Sequence, residues 1–321
     1  MPEFLENVVA TAHGKVNLYL QVGDLRPDGY HDLTTIYESL SLSDELSLTA
    51  VGAGGGVRGL SVQGPRTVPT DQTNLAWKAV ELLVAAYRDR GFTEFPEVEI
   101  SIRKGIPVAG GMAGGSADAA AALCAMERML APAYGAIGRN EMLSLAATLG
   151  SDVPFALVGG VQLGTGRGEQ LTSVMHRGTH HWVLAMNSKG LSTPTVFQKL
   201  DQLRQERTMP RIGHDHELPI GPITADPQRL AQALANDLQP AALSLLPELR
   251  RTLAAGKAAG ALAGIVSGSG PTCAFICADM EHAHQVADAL IDDGVASAVT
   301  TATGPADGVV IQGQTWQTWS T

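Results

Sequence analysis

A glycine-rich segment at residues 107–116 is the part of the sequence whose residue types point most directly to chemistry. It reads Pro-Val-Ala-Gly-Gly-Met-Ala-Gly-Gly-Ser, and an alanine-rich stretch of high helix propensity follows it. Glycines allow several backbone N–H groups to face one point, and a helix N-terminus adds unpaired N–H groups and the positive end of its dipole. Because phosphate oxygens bind in such places, the segment predicts a phosphate site; the alternative is a tight turn without a ligand.

Two common phosphate-binding loops do not match this segment. A Walker A loop requires a Lys after its second key glycine, whereas Gly115 is followed by Ser116 and Ala117. A dinucleotide fingerprint requires three glycines at a fixed spacing, which residues 111–115 do not supply. Neither loop type therefore accounts for the segment.

The order of residues, Pro-x-x-x-Gly-x-x-Gly-Gly-Ser after a strand and before an Ala-rich helix, resembles the ATP loop of the GHMP kinases. This superfamily includes galactokinase, homoserine kinase and mevalonate kinase. Residues 14–18 (Gly-Lys-Val-Asn-Leu) and 268–273 (Gly-Ser-Gly-Pro-Thr-Cys) are similar to its N-terminal and C-terminal motifs. Ala117 stands where a second Ser is common, which removes one hydroxyl. The three motifs stand in the family's order and together cover the whole chain.

The resemblance implies an α+β fold of two domains. Residues 1–173 would form a ribosomal-protein-S5-like domain that binds ATP, and residues 174–321 a ferredoxin-like domain on the substrate side. ATP would be accompanied by Mg²⁺, for which the sequence identifies no protein ligand beyond Ser116 as the best candidate. The implied ATP-binding residues are Pro107, Gly110, Gly111, Met112, Ala113, Gly114, Gly115, Ser116 and Asn74.

A second resemblance concerns the substrate. Residues 26–33, Arg-Pro-Asp-Gly-Tyr-His-Asp-Leu, are similar to a segment of the diphosphocytidyl-methylerythritol kinases, a branch of the superfamily. In that branch the Tyr ring, here Tyr30, stacks on cytosine, and the His, here His31, hydrogen-bonds the edge of the base, partly through its backbone. Residues 192–197 resemble its second substrate segment, which assigns Phe197 to the opposite face of the base. The other substrate residues implied are Asn17, Thr193, Gly268, Ser269 and Gly270.

The same resemblance implies the catalytic residues. Residues 150–155 resemble the family segment Gly-Ala-Asp-Val-Pro, whose Asp, here Asp152, is the general base that takes the proton of the acceptor hydroxyl. Lys15 would hold this carboxylate ionised and offset charge on the transferred group. Asp152 would alternatively cap a helix that begins at Val153-Pro154, and Lys15 would alternatively be a surface lysine.

The implied reaction is the ATP-dependent phosphorylation of a diphosphocytidyl-methylerythritol alcohol, on a route to isoprenoid precursors. Two alternatives stay open at this point. One is another GHMP kinase, acting on a mevalonate derivative, homoserine or a sugar; the other is a catalytically silent binding protein of the same fold. Loss of the lysine or the aspartate would favour the silent protein, and the sequence contains both.

Composition limits the partners of this 321-residue chain. Its net charge is −10 and it has no cluster of Lys and Arg, which argues against nucleic-acid binding. Three cysteines cannot form a disulfide framework, and no apolar stretch is long enough to span a bilayer. A cytoplasmic protein without a membrane partner is therefore expected, with an unknown oligomeric state. The histidine pairs at 180–181, 214–216 and 282–284 are expected to be solvated rather than metal-binding.

Hydrophobic periodicity predicts the elements that position these residues. Strands are predicted at 8–22, broken at His13-Gly14, and at 45–51, 98–102 and 182–186. A pair of strands should flank residues 268–270. Helices are predicted at 74–90, after 116, and at 141–149, 196–205, 227–235, 241–259 and 281–292. Residues 151–154 are expected to form a turn, and 206–222 a mobile loop. Trp316 and Trp319 are expected to pack the C-terminal tail.

Overall fold

The computed structural model describes residues 2–108, 110–206 and 226–316. The elements before residue 174 are β1 (Asn7–Leu25), β2 (His31–Ala53), β3 (Gly56–Gln63), α1 (Leu75–Asp89), β4 (Pro96–Arg103), α2 (Gly114–Tyr134), α3 (Arg139–Leu149), α4 (Val153–Val158), β5 (Val161–Thr165) and β6 (Gln170–Ser173). The later elements are β7 (His180–Met186), α5 (Thr193–Gln205), α6 (Pro227–Ala233), β8 (Ala235–Asn236), α7 (Gln239–Leu245), α8 (Leu249–Ala258), β9 (Ala263–Val266), β10 (Cys273–Cys277), α9 (Met280–Asp292), β11 (Ala298–Gly304), β12 (Val310–Ile311) and β13 (Gln314–Thr315).

The first sheet is built around the antiparallel pair β1 and β2, and its strand order is β13-β12-β1-β2-β4-β3. β1 is one long strand rather than the two predicted, with a register shift between His13 and Lys15 in place of a break. Burial alternates along its first half and is continuous over residues 14–20. The second half of β1 is therefore enclosed on both faces, and it carries Lys15 and Asn17.

The second sheet has the strand order β11-β7-β10-β9, and its neighbouring strands are antiparallel. Helices separate β7 from β9, and α9 separates β10 from β11. This β-α-β-β-α-β arrangement is the ferredoxin-like topology. The α+β prediction is confirmed, as are the paired strands on either side of residues 268–270.

The end of the described chain returns to the first sheet, where β12 pairs with β1. Trp316 is fully buried there, and its Nε1 donates to Glu127 over 3.3 Å. The expected packing role of Trp316 is confirmed, whereas Trp319 lies outside the described residues. Because β8 and β12 also pair with the first sheet, the sheets do not separate at one point of the chain. The division of the chain into one domain of residues 1–173 and another of residues 174–321 stays a prediction.

A buried polar contact joins the two sheets. Glu38 of β2 is fully buried, and its carboxylate lies 2.5 Å from His180 Nδ1 and accepts a hydrogen bond from Trp182 Nε1 over 2.8 Å. The expectation that His180 is solvated is therefore wrong, since its ring fills a polar site between the sheets. His214 and His216 lie outside the described residues.

Several element boundaries differ from the predictions for local reasons. α2 begins at Gly114, inside the glycine segment, and residues 153–158 continue the predicted turn as the short helix α4. The stretch predicted as one helix at 241–259 is divided into α7 and α8 near Pro247, whose ring cannot continue a helix. Apart from Glu206, the predicted mobile loop lies outside the described residues.

Among the described helices, none has the length and apolar character needed to cross a bilayer.

We expect Trp316→Ala to lower the free energy of unfolding by about 3–5 kcal/mol, because it opens a cavity and removes the donor to one of the two carboxylate oxygens of Glu127. Urea denaturation measures this change. Met175→Ala serves as the control, since Met175 is 94% exposed and its truncation should change stability by less than about 0.5 kcal/mol. An equal effect of the two substitutions would contradict the account of the tail.

Candidate functional site

A cavity of about 940 Å³ is lined by β1, β2, the glycine segment, α5 and the loop between β9 and β10. This volume is at the upper end of the range for small-molecule sites. Every residue that the sequence analysis proposed for catalysis, ATP or substrate lines the cavity, with the exceptions of Asn74 and Gly270. Residues from the N-terminal motif, the glycine segment and the 268–270 motif therefore meet in one place, although they are far apart in the sequence.

The glycine segment is held between β1 and the loop before β10. Lys15 N donates to Met112 O over 3.2 Å, and Ser267 Oγ donates to Gly111 O over 3.2 Å. Gly111 has a φ of 70°, and a Cβ at this position would lie 2.3 Å from Ser267 O, so only glycine fits. α2 follows at once, and its N-cap residue Ala113 makes no side-chain cap hydrogen bond. The first N–H groups of α2 therefore receive no side-chain cap from Ala113.

Lys15 and Asp152 lie together on the wall of this cavity. Lys15 is 5% exposed, so the surface-lysine alternative is wrong, and its Nζ is 4.0 Å from Asp152 Oδ2. Asp152 occupies the N-cap position of α4, but its side chain makes no cap hydrogen bond. Its Oδ1 instead accepts a hydrogen bond from Tyr37 Oη over 3.2 Å. The carboxylate is thus directed at the cavity rather than at the helix.

Burial sets the protonation behaviour of this group of residues. Desolvation lowers the pKa of Lys15, and the nearby Asp152 carboxylate partly opposes that change. Desolvation and the same carboxylate raise the pKa of Tyr37 well above its ordinary value. Tyr37 therefore stays protonated at neutral pH, and its hydroxyl donates a hydrogen bond to Asp152. Sequence reasoning missed Tyr37, which carries no motif signal of its own.

Asn17 is fixed by a chain of hydrogen bonds beside Lys15. Its Oδ1 accepts from Lys15 Nζ over 2.6 Å, and its Nδ2 donates to Thr35 Oγ1 over 2.8 Å. Thr35 Oγ1 in turn donates to Tyr19 O over 2.8 Å. These contacts orient the amide of Asn17 and hold the lysine ammonium at a defined position.

The residues predicted to recognise a base gather at another end of the cavity. Tyr30 is 51% exposed, and the rings of His31 and Phe197 have centroids 5.1 Å apart. His31 Nε2 lies 2.9 Å from Asp201 Oδ1, a partner that the sequence analysis missed. Asp201 stands four residues after Phe197 on α5, so the shared helix face was a usable signal.

Two further polar residues, Lys104 and Asp118, line the cavity near the glycine segment and were also missed. Lys104 is buried between Asp44 and Asp118, with its Nζ 2.7 Å from Asp118 Oδ2. The other oxygen of Asp118, Oδ1, is buried and has no hydrogen-bond partner among the described residues. Burial raises the pKa of Asp118, although the Lys104 ammonium lowers it. Within the described ranges, no group of three His, Cys, Asp or Glu side chains could hold a metal ion.

The two predicted residues outside the cavity wall have supporting positions. Asn74 caps α1, since its Oδ1 accepts from Ala76 N over 2.8 Å, and its Nδ2 donates to Pro69 O over 2.7 Å. Pro69 itself lines the cavity, so Asn74 supports the wall from behind. Gly270 has a φ of 77°, and a Cβ there would lie 2.9 Å from Val266 Cγ1. It shapes the turn that carries Gly268 and Ser269, and Ser269 Oγ lies 2.8 Å from Thr193 Oγ1.

The chain matches two family descriptions. The GHMP kinases N terminal domain matches residues 74–160, and the GHMP kinases C terminal description matches residues 223–296. The 4-diphosphocytidyl-2-C-methyl-D-erythritol kinase of Nocardia farcinica is 55% identical over 305 residues, which cover 94% of this chain and 95% of the relative. The kinase of the same name from Corynebacterium efficiens is 51% identical, with 94% and 95% covered.

Solved structures agree with this result. A crystal structure of 4-(cytidine 5'-diphospho)-2C-methyl-D-erythritol kinase has a TM-score of 0.71 and 31% identity, and covers 93% of this chain and 99% of its own. Mevalonate kinase of L. major, in complex with R-mevalonate, has a TM-score of 0.69 at 15% identity, with 96% and 100% covered, and shares the fold alone. The chain therefore belongs to the 4-diphosphocytidyl-2-C-methyl-D-erythritol kinase family of the GHMP kinases.

Proposed function

We propose that this chain transfers the γ-phosphoryl group of ATP to the 2-hydroxyl of 4-diphosphocytidyl-2-C-methyl-D-erythritol. The products are the 2-phosphate of the substrate and ADP, in the methylerythritol phosphate route to isoprenoid precursors. The observation that carries this proposal is the meeting of Lys15 and Asp152 with the glycine segment and the Tyr30–His31–Phe197 group in one cavity.

ATP binds with its phosphates against the glycine segment and the N-terminus of α2. The backbone N–H groups there supply donors in an acidic protein whose net charge of −10 would otherwise oppose an anion. Gly110, Gly114, Gly115 and Ser116 line this part of the cavity, and the absence of bulky side chains allows phosphate oxygens to approach the backbone.

Magnesium fits this site as an ion carried by the nucleotide. Asp118 offers a buried oxygen without a hydrogen-bond partner among the described residues, and Ser116 offers a hydroxyl in the first turn of α2. Both residues line the cavity, and hard oxygen donors of this kind are what Mg²⁺ prefers. Bound Mg²⁺ would neutralise charge on the phosphate oxygens, and phosphates and water would complete its coordination.

The chemistry at the acceptor follows from the positions of Asp152 and Lys15. The substrate hydroxyl oxygen attacks the γ-phosphorus, the bond from this phosphorus to the β,γ-bridging oxygen breaks, and the hydroxyl proton passes to Asp152. Tyr37 holds Asp152 Oδ1, which leaves Oδ2, the oxygen nearer Lys15, to accept the proton. Lys15 stabilises charge that develops on the transferred group.

Base recognition separates this proposal from its alternatives. A kinase for mevalonate, homoserine or a sugar has no use for an exposed tyrosine, a histidine and a phenylalanine collected at one end of the cavity. These side chains suit a flat cytosine ring, because stacking and edge hydrogen bonds both recognise it. A catalytically silent protein has no need for a buried lysine next to an aspartate, since a buried charge costs stability.

Cytoplasmic location and the absence of a nucleic-acid partner remain proposals. They rest on the acidic composition and on Cys124, Cys273 and Cys277, which are free and buried.

Asp152→Asn should lower kcat by about 10²–10⁴-fold, because the amide cannot accept the proton. Steady-state ADP release measures the loss, and calorimetry should find ATP affinity unchanged. Asp89→Asn is the matched control at an exposed position and should keep full turnover. Near-normal turnover of folded Asp152→Asn would remove Asp152 from the mechanism.

Tyr30→Ala should weaken the cytidyl substrate by about 1–3 kcal/mol, the value of one stacked base. The KM of ATP should barely change, because the glycine segment is untouched. Cytidine diphosphate should compete with the substrate in the wild type and compete poorly in the variant. A wild-type enzyme that ignores cytidine diphosphate would mean that the substrate is not a cytidyl compound.

Lys15→Met should change how stability depends on pH, as well as abolish activity. The pKa of Lys15 is lowered in the folded protein, so the unfolded chain binds the extra proton in the alkaline window below the ordinary lysine pKa of 10.5. The free energy of unfolding of the wild type should therefore rise with pH relative to the variant, by at most about 1.4 kcal/mol per pH unit.

Urea denaturation at several pH values between neutrality and 10 tests this expectation. Lys78→Met, at an exposed position of α1, is the control and should follow the wild type at every pH. A constant difference between wild type and Lys15→Met would show that Lys15 titrates normally.

A further inference from the structure

The proposed substrate carries a diphosphate between its cytosine and its reacting hydroxyl. Three Lys or Arg side chains line the cavity within the described residues: Lys15, Lys104 and Arg167. Lys104 is held between Asp44 and Asp118, and Lys15 hydrogen-bonds Asn17 beside Asp152. Neither cation is therefore free to neutralise a diphosphate near the base.

Arg167 differs from both lysines in its surroundings. In the described part of the chain, the one carboxylate within 4 Å of its guanidinium belongs to Glu169, and it lies 3.8 Å from Nε, beyond hydrogen-bond distance. The Arg167 side chain is 31% exposed, so its charge is partly buried, and within the described residues no carboxylate lies within hydrogen-bond distance of its guanidinium.

Arg167 lies close to the base-recognition group, and the residue after it lies close to Tyr37, the partner of the proton acceptor. Its guanidinium carbon is 5.0 Å from the centre of the Tyr30 ring. The next residue, Gly168, lies so close to Tyr37 that a Cβ at this position would clash with the tyrosine Oη. Tyr37 in turn donates to Asp152.

The hairpin tip that carries Arg167 is fixed to the cavity wall. Arg167 lies in the turn between β5 and β6, and Leu33 N donates to Gly166 O over 2.7 Å. The carboxylate of Glu169 accepts a hydrogen bond from Arg167 N over 2.6 Å. These contacts order the backbone and leave the guanidinium to a ligand.

We propose that Arg167 binds the diphosphate of the substrate, which places this group between the stacked base and the reacting hydroxyl. The inference rests on the proposed function and names a residue for one part of its substrate. A guanidinium presents a planar set of donors that matches two phosphate oxygens at once. Contact with the face of Tyr30 leaves these in-plane donors available.

A purely structural role for Arg167 has a different consequence. If its guanidinium only packs on Tyr30, its removal disturbs the base site and weakens every cytidine ligand equally. If it binds the diphosphate, its removal weakens only ligands that carry phosphate. The ratio of the inhibition constants of cytidine and cytidine diphosphate separates these two roles.

The experiment measures inhibition by cytidine and by cytidine diphosphate in the wild type, Arg167→Ala and Arg167→Lys. In Arg167→Ala, cytidine diphosphate should bind about tenfold or more weakly, the scale of a charge-assisted hydrogen bond, while cytidine changes by less than about twofold. Arg167→Lys should restore part of the loss, because it keeps the charge without the planar donor set. Arg103→Ala, at an exposed arginine on β4, is the control and should leave both constants unchanged.

Equal weakening of cytidine and cytidine diphosphate in Arg167→Ala would overturn the inference and leave the proposed function intact. Failure of cytidine diphosphate to compete in the wild type would overturn the proposed function, and this inference with it.

Discussion

The burial of the Lys15 ammonium beside Asp152 is the constraint on which the rest of this structure depends. A charge removed from water costs free energy unless neighbouring groups replace its hydration. Here the amide of Asn17, the carboxylate of Asp152 and the ring of Tyr37, whose centre is 5.8 Å from the ammonium, supply that replacement. These groups come from β1, β2 and the start of α4, so the first sheet and its helices must be in register for the site to exist.

The loop between β9 and β10 and the helix α5 complete the wall of the cavity. The 267–270 loop packs against Gly111 so closely that a Cβ there would lie 2.3 Å from Ser267 O. The buried contact between Glu38 and His180 joins the first sheet to the second sheet at another place. Phosphoryl transfer depends on positioning more than on covalent chemistry. The contact of Gly111 with the 267–270 loop and the contact of Glu38 with His180 therefore both help to position the catalytic residues.

Local patterns predicted the α+β class and the segments that meet at the cavity, whereas the ferredoxin-like unit was implied by the resemblance to the GHMP kinases. The glycine segment and the Tyr30–His31 pair were recognisable because their meaning lies in consecutive residues. Tyr37 and His180 were not recognisable, because each acquires its partner only through tertiary contact. His180 and Glu38 are separated by 142 residues. The register of β1 could not be predicted from the sequence either. The sequence predicts two strands there, whereas the structure has one strand with a register shift between His13 and Lys15.

A crystal structure of the ternary complex with a non-hydrolysable ATP analogue and the cytidyl alcohol tests the central claim most directly. The account predicts that the acceptor hydroxyl lies within about 3.2 Å of Asp152 Oδ2, the reach of a general base. It also predicts that the γ-phosphate lies beside Lys15 and the N-terminus of α2. A complex in which the hydroxyl faces the γ-phosphate but hydrogen-bonds another group, with Asp152 turned away, would contradict it.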